Sequence, residues 1–431
     1  MSYFQQVVQH NMAPIKTKFF YGWIIVALSA MGVFFSGPGQ TYTISLFIDE
    51  YIKEFGWSRS TVSSIYSAAT LLAGILLFLI GRLIDKYGQR KMVVIIGSML
   101  AFACFWNSFV SNMVMLFIGF FLIRLFGQGS MTLLPNTLVP QWFIKYRGRA
   151  FSFMAIGGFI SSAAFPIINA WLIKTYDWQT TWTVWGTLLF VIFVPIAYVF
   201  TRNKPEDIGL LPDDATVLKR TGQEGQKDET IFEENWTLKE ARKTVAFWLL
   251  LFIVAIPALV NTGLTFHLVS ILGEGGIKPA VAALILSLMA IIGFPITFIS
   301  GFILERVKVN ILLAIVFIGE IFMIIIIFFT DSITMAILFG VVWGITGGLE
   351  RITLAIVWPS YFGRKHIGSI KGVAMTMMVI GSAFGPLPFG VAFDMFQGYE
   401  EILLATLILP VAAAIAAISA KQPVKSETLK S

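Results

Sequence analysis

Twelve apolar stretches, each long enough to cross a bilayer as a helix, constrain this chain more than anything else in it. A crossing needs about 20 mostly apolar residues. In lipid every backbone N–H and C=O must be satisfied within the segment, so runs of this kind are helices. The expected spans are 21–47, 59–81, 92–111, 113–139, 149–174, 180–200, 245–272, 279–304, 309–330, 333–359, 368–393 and 400–420. Short polar turns separate most of them. The exception, 202–244, is rich in charge, Gly and Pro and divides the spans six and six. The expected architecture is an all-α membrane protein of two six-helix bundles. Residues 1–200 form the first bundle and 201–244 a central loop. Residues 245–431 form the second, ending in a short cytoplasmic tail. The amphipathic piece "WTLKEARKTVAFW" (236–248) reads as a surface helix leading into the seventh span.

Composition excludes several function classes. The 431 residues are 57% hydrophobic and 13% charged, against about 25% charged in soluble proteins. The lone cysteine, Cys104, lies in an apolar segment, so there is no disulfide framework. A net charge of +7 in such a chain reflects basic cytoplasmic loops and not a nucleic-acid partner. No zinc spacing, Walker loop or Ser/His/Asp motif occurs, so neither an enzyme, a metal nor a cofactor is expected. The first apolar run begins only near Tyr21 and outlasts a signal core, so no cleaved leader is expected.

Basic residues orient the chain. One set of loops holds Arg82, Lys86, Arg90 and Lys91, then Lys145, Arg147 and Arg149, then Arg306 and Lys308, then Arg364, Lys365 and Lys371. The opposite set, including 48–58 and 396–401, is poorer in them. The positive-inside rule places the first set, both termini and the central loop in the cytoplasm of an inner (plasma) membrane.

The halves echo each other. "GRLIDKYGQRK" (81–91) follows span 2 and "GFILERVK" (301–308) follows span 8. "WFIKYRGRA" (142–150) follows span 4 and "YFGRKHIGS" (361–369) follows span 10. Paired six-helix repeats suggest a transporter that rocks about a central site, although duplication also occurs in non-transporting membrane proteins.

At these residues the chain resembles the major facilitator superfamily. Gly81, Asp85, Lys86, Gly88, Arg90 and Lys91 fit its signature between helices 2 and 3. The second copy keeps Gly301, Glu305 and Arg306, and "RLFGQGS" (124–130) is similar to its helix-4 pattern. Within the superfamily, "WFIKYRGRA", "RNKPEDIGLLPD" (202–213) and 236–248 look most like the monocarboxylate porters and oxalate/formate antiporters. The resemblance implies the major facilitator fold, secondary active transport by alternating access, and a monomer. It implies a gating role for Gly81, Asp85, Gly88, Arg90, Gly301, Glu305 and Arg306, with Asp85 meeting the N-terminal end of helix 11 on the closed cytoplasmic side. A carboxylate is favoured at such an end. The chain departs from the porters where span 8, "LSLMAIIGFPITFISGF" (286–302), lacks their Asp and Arg. Span 1 likewise lacks their Lys. Lactate-type transport therefore does not follow from the resemblance alone.

Charges within the spans are the candidate chemistry. Glu350 and Arg351 are adjacent in span 10, and Arg351 lies ten residues, about 15 Å of helix, before Tyr361. One such charge at mid-membrane costs about 2.5–3.5 kcal/mol on insertion scales. Neighbouring residues diverge by about 100° around a helix, so one can reach a cavity while the other pairs with another helix. Arg351 can hold a carboxylate by two parallel hydrogen bonds. Glu350 can exchange a proton as its surroundings dry and wet. The alternative is a static ion pair, Arg351 with Glu320 or Glu350 with Arg124. Arg124 in span 4 is either a second substrate cation or an organiser of helix packing. Glu320 in span 9 is expected to pair with a neighbour or sit near an interface, with proton coupling as its functional alternative. His267, near the extracellular mouth, is a gate or pH-response candidate, or a satisfied interfacial His. Among uncharged residues, Gln40 and Tyr42 follow the helix-weakening "SGPGQTY" (36–42), and Asn169, Asn261 and Thr262 are polar positions in spans 5 and 7. "GSAFGPLPFG" (381–390) is expected to kink span 11.

The expected function is transport of a small organic anion, first a monocarboxylate, driven by a proton or counter-anion gradient through symport or exchange. The alternative is a proton-driven exporter of lipophilic or cationic compounds anchored at Glu350 or Glu320. A membrane sensor is disfavoured by the short loops.

Overall fold

The structure, a computed structural model, describes residues 19–57, 59–213 and 234–424. Among the described residues the regular elements are helical, with no strand. Among the described residues, twelve helices are long and apolar enough to cross a membrane. They are α1 (Gly22–Ile44), α2 (Ser64–Tyr87), α3 (Gln89–Ser108), α4 (Met113–Trp142), α5 (Arg147–Thr175), α6 (Trp178–Phe200), α7 (Val245–Thr265), α8 (Leu284–Ile303), α9 (Val309–Phe328), α10 (Ile333–Phe362), α11 (Ile367–Phe393) and α12 (Glu400–Ser419).

The chain divides into two compact units, Met1–Asn235 with Gly363–Val373, and Trp236–Phe362 with Ala374–Ser431. The sequence suggested a division at 200 and 244. Side chains near the ends of the central loop bind the turns between helices. The Asp213 carboxylate accepts from the backbone N–H groups of Ile144 (3.0 Å), Lys145 (3.4 Å) and Tyr146 (2.8 Å). The Asn235 side chain does the same for Arg364 (3.0 Å) and Lys365 (2.9 Å).

Lipid tails are as apolar as leucine, so helices here associate by close packing and interhelical hydrogen bonds. The same pairings form in both units: α1 with α5, α2 with α4 and α3 with α6 in the first, and α7 with α11, α8 with α10 and α9 with α12 in the second. Small residues allow the approach. A Cβ on Gly157 of α5 would overlap the Ala30 carbonyl of α1, and one on Gly381 of α11 would lie 2.5 Å from the Ala255 carbonyl oxygen of α7.

Backbone breaks fall where glycine and proline accumulate. The first span is helical over Gly22–Phe35, tightens to a 3-10 turn at Gly37–Gly39 and resumes at Thr41. Within α4, Arg124–Ser130 forms a π-helical segment. The eleventh span stops at Phe384 and restarts at Pro386. Helix α2 extends to Tyr87, so the motif at 81–91 is two helix ends joined at Gly88 and not a loop. The surface helix expected over 236–248 shortens to Leu238–Ala241, closed by a Thr237–Glu240 capping box.

Adjacent glycines on α10 give a direct test of this packing. A Cβ on Gly348 would lie 2.8 Å from the Gly293 carbonyl oxygen and from Ile296, whereas one on Gly347 would meet nothing within 4 Å. Gly348→Ala should destabilise the protein by about 1–3 kcal/mol through overpacking. Gly347→Ala should be neutral or gain up to about 1 kcal/mol from helix propensity. Thermal unfolding of the two variants in detergent micelles checks this, and equal melting temperatures would contradict it.

Candidate functional site

In the second unit, three ionisable side chains gather where α9, α10 and the α7 helix meet. Glu350 is half-buried. Its Oε2 accepts a hydrogen bond from Asn261 Nδ2 at 3.2 Å. Asn261 Oδ1 in turn accepts from Trp343 Nε1 at 2.8 Å. The indole can only donate, so it fixes which end of the amide faces Glu350. Arg351, about 100° round the helix, is exposed. It shares its face with Gly347, one turn earlier, where a Cβ would meet nothing within 4 Å. That face of α10 is open within its unit.

Glu320 of α9, expected to pair with a neighbour or to sit near an interface, is buried inside its unit. Its side chain is 1% exposed, and among the described residues neither carboxyl oxygen accepts a hydrogen bond. The Arg351–Glu320 ion pair is therefore not formed. Glu350 of α10 is close enough to interact with Glu320 electrostatically.

The other candidates are bonded to neighbours within the protein. Arg124 is 8% exposed and donates from Nη1 to the Gly39 carbonyl (3.0 Å) and to Thr41 Oγ1 (3.3 Å), with its guanidinium 5.1 Å from the Tyr66 ring centroid. It uses the carbonyl that the break in the first span frees. Gln40 donates to Ser36 Oγ at 3.0 Å. The Tyr42 hydroxyl is 2.7 Å from Ser161 Oγ, which donates to the Phe34 carbonyl. Asn169 is fully buried and accepts from Trp185 Nε1 at 2.6 Å, joining α5 to α6. Thr262 donates to the Ala258 carbonyl and lies 2.9 Å from Ser382 Oγ, tying the α7 helix to α11. His267 Nδ1 lies 3.0 Å from the Tyr399 hydroxyl, and its ring stacks on Phe389. These contacts place His267 in an aromatic cluster, away from Glu350's hydrogen-bond partners.

In the first unit, Asp85 meets the start of α11. Oδ1 accepts from the Gly368 N–H at 2.9 Å, and Oδ2 from the Ser369 N–H at 2.6 Å and the Ser369 hydroxyl. This is an anion on the positive end of a helix. A Cβ on Gly81 would overlap the Gly368 carbonyl oxygen. Gly88 turns at φ +82°. Arg90 donates to the Tyr198 carbonyl at 3.0 Å and covers that residue's ring. The second motif copy, Gly301, Glu305 and Arg306, lies at the end of α8 and in the turn that follows.

Several residues here escaped the sequence reading. Lys371, counted only as a loop cation, is 4% exposed and donates from Nζ to the Asn136 carbonyl (3.1 Å) and Oδ1 (3.3 Å). The apolar Ile370, Val373 and Ala374 around it are the signal that it sits within a packed helix. Arg364 pairs with Glu206 at 2.5 Å and donates to the Gln141 carbonyl. Nearby, burial pushes the Asp207 carboxyl above its ordinary range and Lys204 draws it back in part.

Comparison with known proteins places this arrangement. The family profile described as Major Facilitator Superfamily matches residues 19–386. The uncharacterized MFS-type transporter YhjX of Escherichia coli (strain K12) is 22% identical over 213 residues, 49% of this chain and 48% of that protein. The chain thus spans about half of that relative's length. The nitrite extrusion protein of Bacillus subtilis (strain 168) is 21% identical over 374 residues, 85% of this chain and 88% of that one. Monocarboxylate transporter 9 of Pongo abelii is 22% identical over 237 residues, covering 52% and 45%. Among solved structures, the human organic anion transporter MFSD10 (TETRAN) matches with a TM-score of 0.64 at 14% identity. That match covers 92% of this chain and 99% of that one, and the likeness is of fold alone.

Asp85→Asn keeps the side chain's size and removes its charge. Hydrogen bonds to a charged group are worth about 1.5–3 kcal/mol. The Gly368 and Ser369 amides should therefore exchange hydrogen roughly ten- to a hundredfold faster in the variant. Mass-spectrometric hydrogen exchange on the peptide containing them reads this directly. Unchanged protection would mean that Asp85 does not hold the segment.

Proposed function

The chain belongs to the Major Facilitator Superfamily and is a multi-pass membrane protein, and from that premise we propose that it is a secondary active transporter of a small organic anion, first a monocarboxylate. Transport proceeds by alternating access, coupled to protons or to anion exchange. The observation that carries this reading is Arg351: a permanent cation in a spanning helix, exposed on an open helix face. Against lipid such a group would cost about 2.5–3.5 kcal/mol or more, so this face is wet and suited to a visiting anion. A similar protein, monocarboxylate transporter 9, is named for the same class of cargo.

The chemistry is brief. Arg351 receives the substrate carboxylate through two parallel N–H···O bonds. Glu350, on the next residue, takes the proton, with Asn261 holding one of its oxygens. Anion and proton bound together leave the site's net charge unchanged, which makes the loaded carrier easier to close away from water. The proposal includes placement in the inner (plasma) membrane with both termini cytoplasmic, and a monomer. The basic residues between even- and odd-numbered spans support the orientation.

Arg351→Gln should lower carboxylate uptake at least about thirtyfold, the smaller end of what loss of one partner in a buried charged pair costs. Arg351→Lys should retain part of it, keeping the charge without the planar fork. Proteoliposomes containing the full chain, supplied with labelled mono- and dicarboxylates with and without a proton gradient, measure this. Normal uptake by Arg351→Gln would remove the anion reading. Ethidium efflux that depends on Glu350 would favour the exporter instead.

A further inference from the structure

Glu320 has no place in the anion site, yet it is the most deeply buried acid in the second unit's spans. Burying an ionised carboxylate without hydrogen bonds or a cation costs far more than any fold tolerates. With 1% exposure and neither oxygen hydrogen-bonded among the described residues, the group is held as a neutral acid. A neutral acid has an O–H to donate, and an acceptor of matching chemistry, Glu350, lies across the helix pair.

The geometry of α9 and α10 brings the two acids together. The helices are joined by a short turn and run antiparallel, packed along their length. A Cβ on Gly319 would lie 2.6 Å from Thr346 Oγ1, so residue 319 of α9 sits at the level of residue 346 of α10. Glu350 lies one turn beyond Thr346 on the same face. Each Cα–Cβ bond tilts toward its own helix's N-terminus. In an antiparallel pair those tilts oppose, and along the helix axis each shifts its carboxyl toward the level of the other. Of the Glu350 oxygens, Oε2 faces Asn261.

We propose that Glu320 and Glu350 form a single proton-binding site, a carboxyl–carboxylate pair spanning α9 and α10, in which the O–H of one acid is donated to an oxygen of the other. This deepens the proton-coupled part of the transport reading and rests on it for its physiological role. Two carboxylates sharing a dry site cannot both be ionised, so they titrate as a unit. The proton moves between two oxygens, and no other bond is made or broken.

The charged groups around the pair are few. Helix α9 carries no other ionisable side chain, and α10 adds only Arg351 and, near its end, Tyr361. Helix α12, packed on α9, has Glu400 and Glu401 in its opening turn and none thereafter. The α7 helix, which supplies Asn261, carries His267 and Glu274 farther along, and α8, packed on α10, carries none. Among the described residues of these helices, Arg351 is the cation next to the pair, which couples the site to whatever anion Arg351 holds.

The test needs no substrate. The full chain is reconstituted in liposomes, and infrared difference spectra are recorded across a pH series in water and deuterated water. The parent should show the C=O stretch of a protonated buried carboxylic acid. Glu320→Gln should abolish that band. Glu350→Gln should shift it and displace its titration by at least about tenfold in proton concentration. The double variant should show no such band. A band unchanged in Glu320→Gln would overturn the assignment. So would a Glu350→Gln spectrum whose band and titration match the parent, because the two acids would then be independent. Melting temperatures check folding, and if Glu320→Gln proves unstable the Glu350→Gln spectrum decides alone. Should labelled monocarboxylates prove not to be cargo, the infrared result stands by itself, so the two readings fail separately.

Discussion

Everything in this protein is governed by the absence of water along its spans. A polar group in lipid must find its partner within the protein, and nearly every one described here does. Arg124 takes the carbonyl released by the break at Gly37–Gly39. Asn169 takes an indole N–H, Thr262 a neighbouring serine and Tyr42 a serine that is itself bonded to a backbone carbonyl. Each of these side chains keeps at least one partner, whereas among the described residues neither Glu320 oxygen is hydrogen-bonded.

The same constraint explains why the two units share one packing pattern. With no hydrophobic force between helices in lipid, contact depends on how closely backbones approach. Small residues therefore recur at equivalent places, Gly157 against Ala30 in one unit and Gly381 against Ala255 in the other. Substituting one of them loses both the van der Waals contact and the fit of the neighbouring pair.

The spans and the paired motifs were legible in the sequence because they rest on long apolar runs and local spacing. The carboxylate at the start of α11 needed the resemblance as well, since no local rule links Asp85 to Gly368 and Ser369, nearly three hundred residues away. Roles of single polar residues were not legible. Asn169 and Asn261 look alike in sequence, yet one ties α5 to α6 while the other orients Glu350. Only the rotation of each helix decides between those outcomes, and an almost uniformly apolar helix gives no moment from which to read rotation. The burial of Glu320 and Lys371 was not legible for the same reason: it follows from which neighbour each helix packs against.

Adjacency in sequence is what makes the Glu350–Arg351 pair useful. On a helix, successive side chains diverge by about 100°, so one residue can face α9 and the α7 helix while the next faces open space. The guanidinium then stands between two kinds of negative charge, a fixed acid pair on one side and a visiting anion on the other. On the proposed reading, an anion bound to Arg351 withdraws part of the cation's stabilisation of an ionised Glu350, and the pair's affinity for a proton rises. Linkage is reciprocal, so a protonated pair leaves Arg351 freer to bind the anion. Coupling of this kind needs no long-range pathway, because one backbone unit joins the two functions.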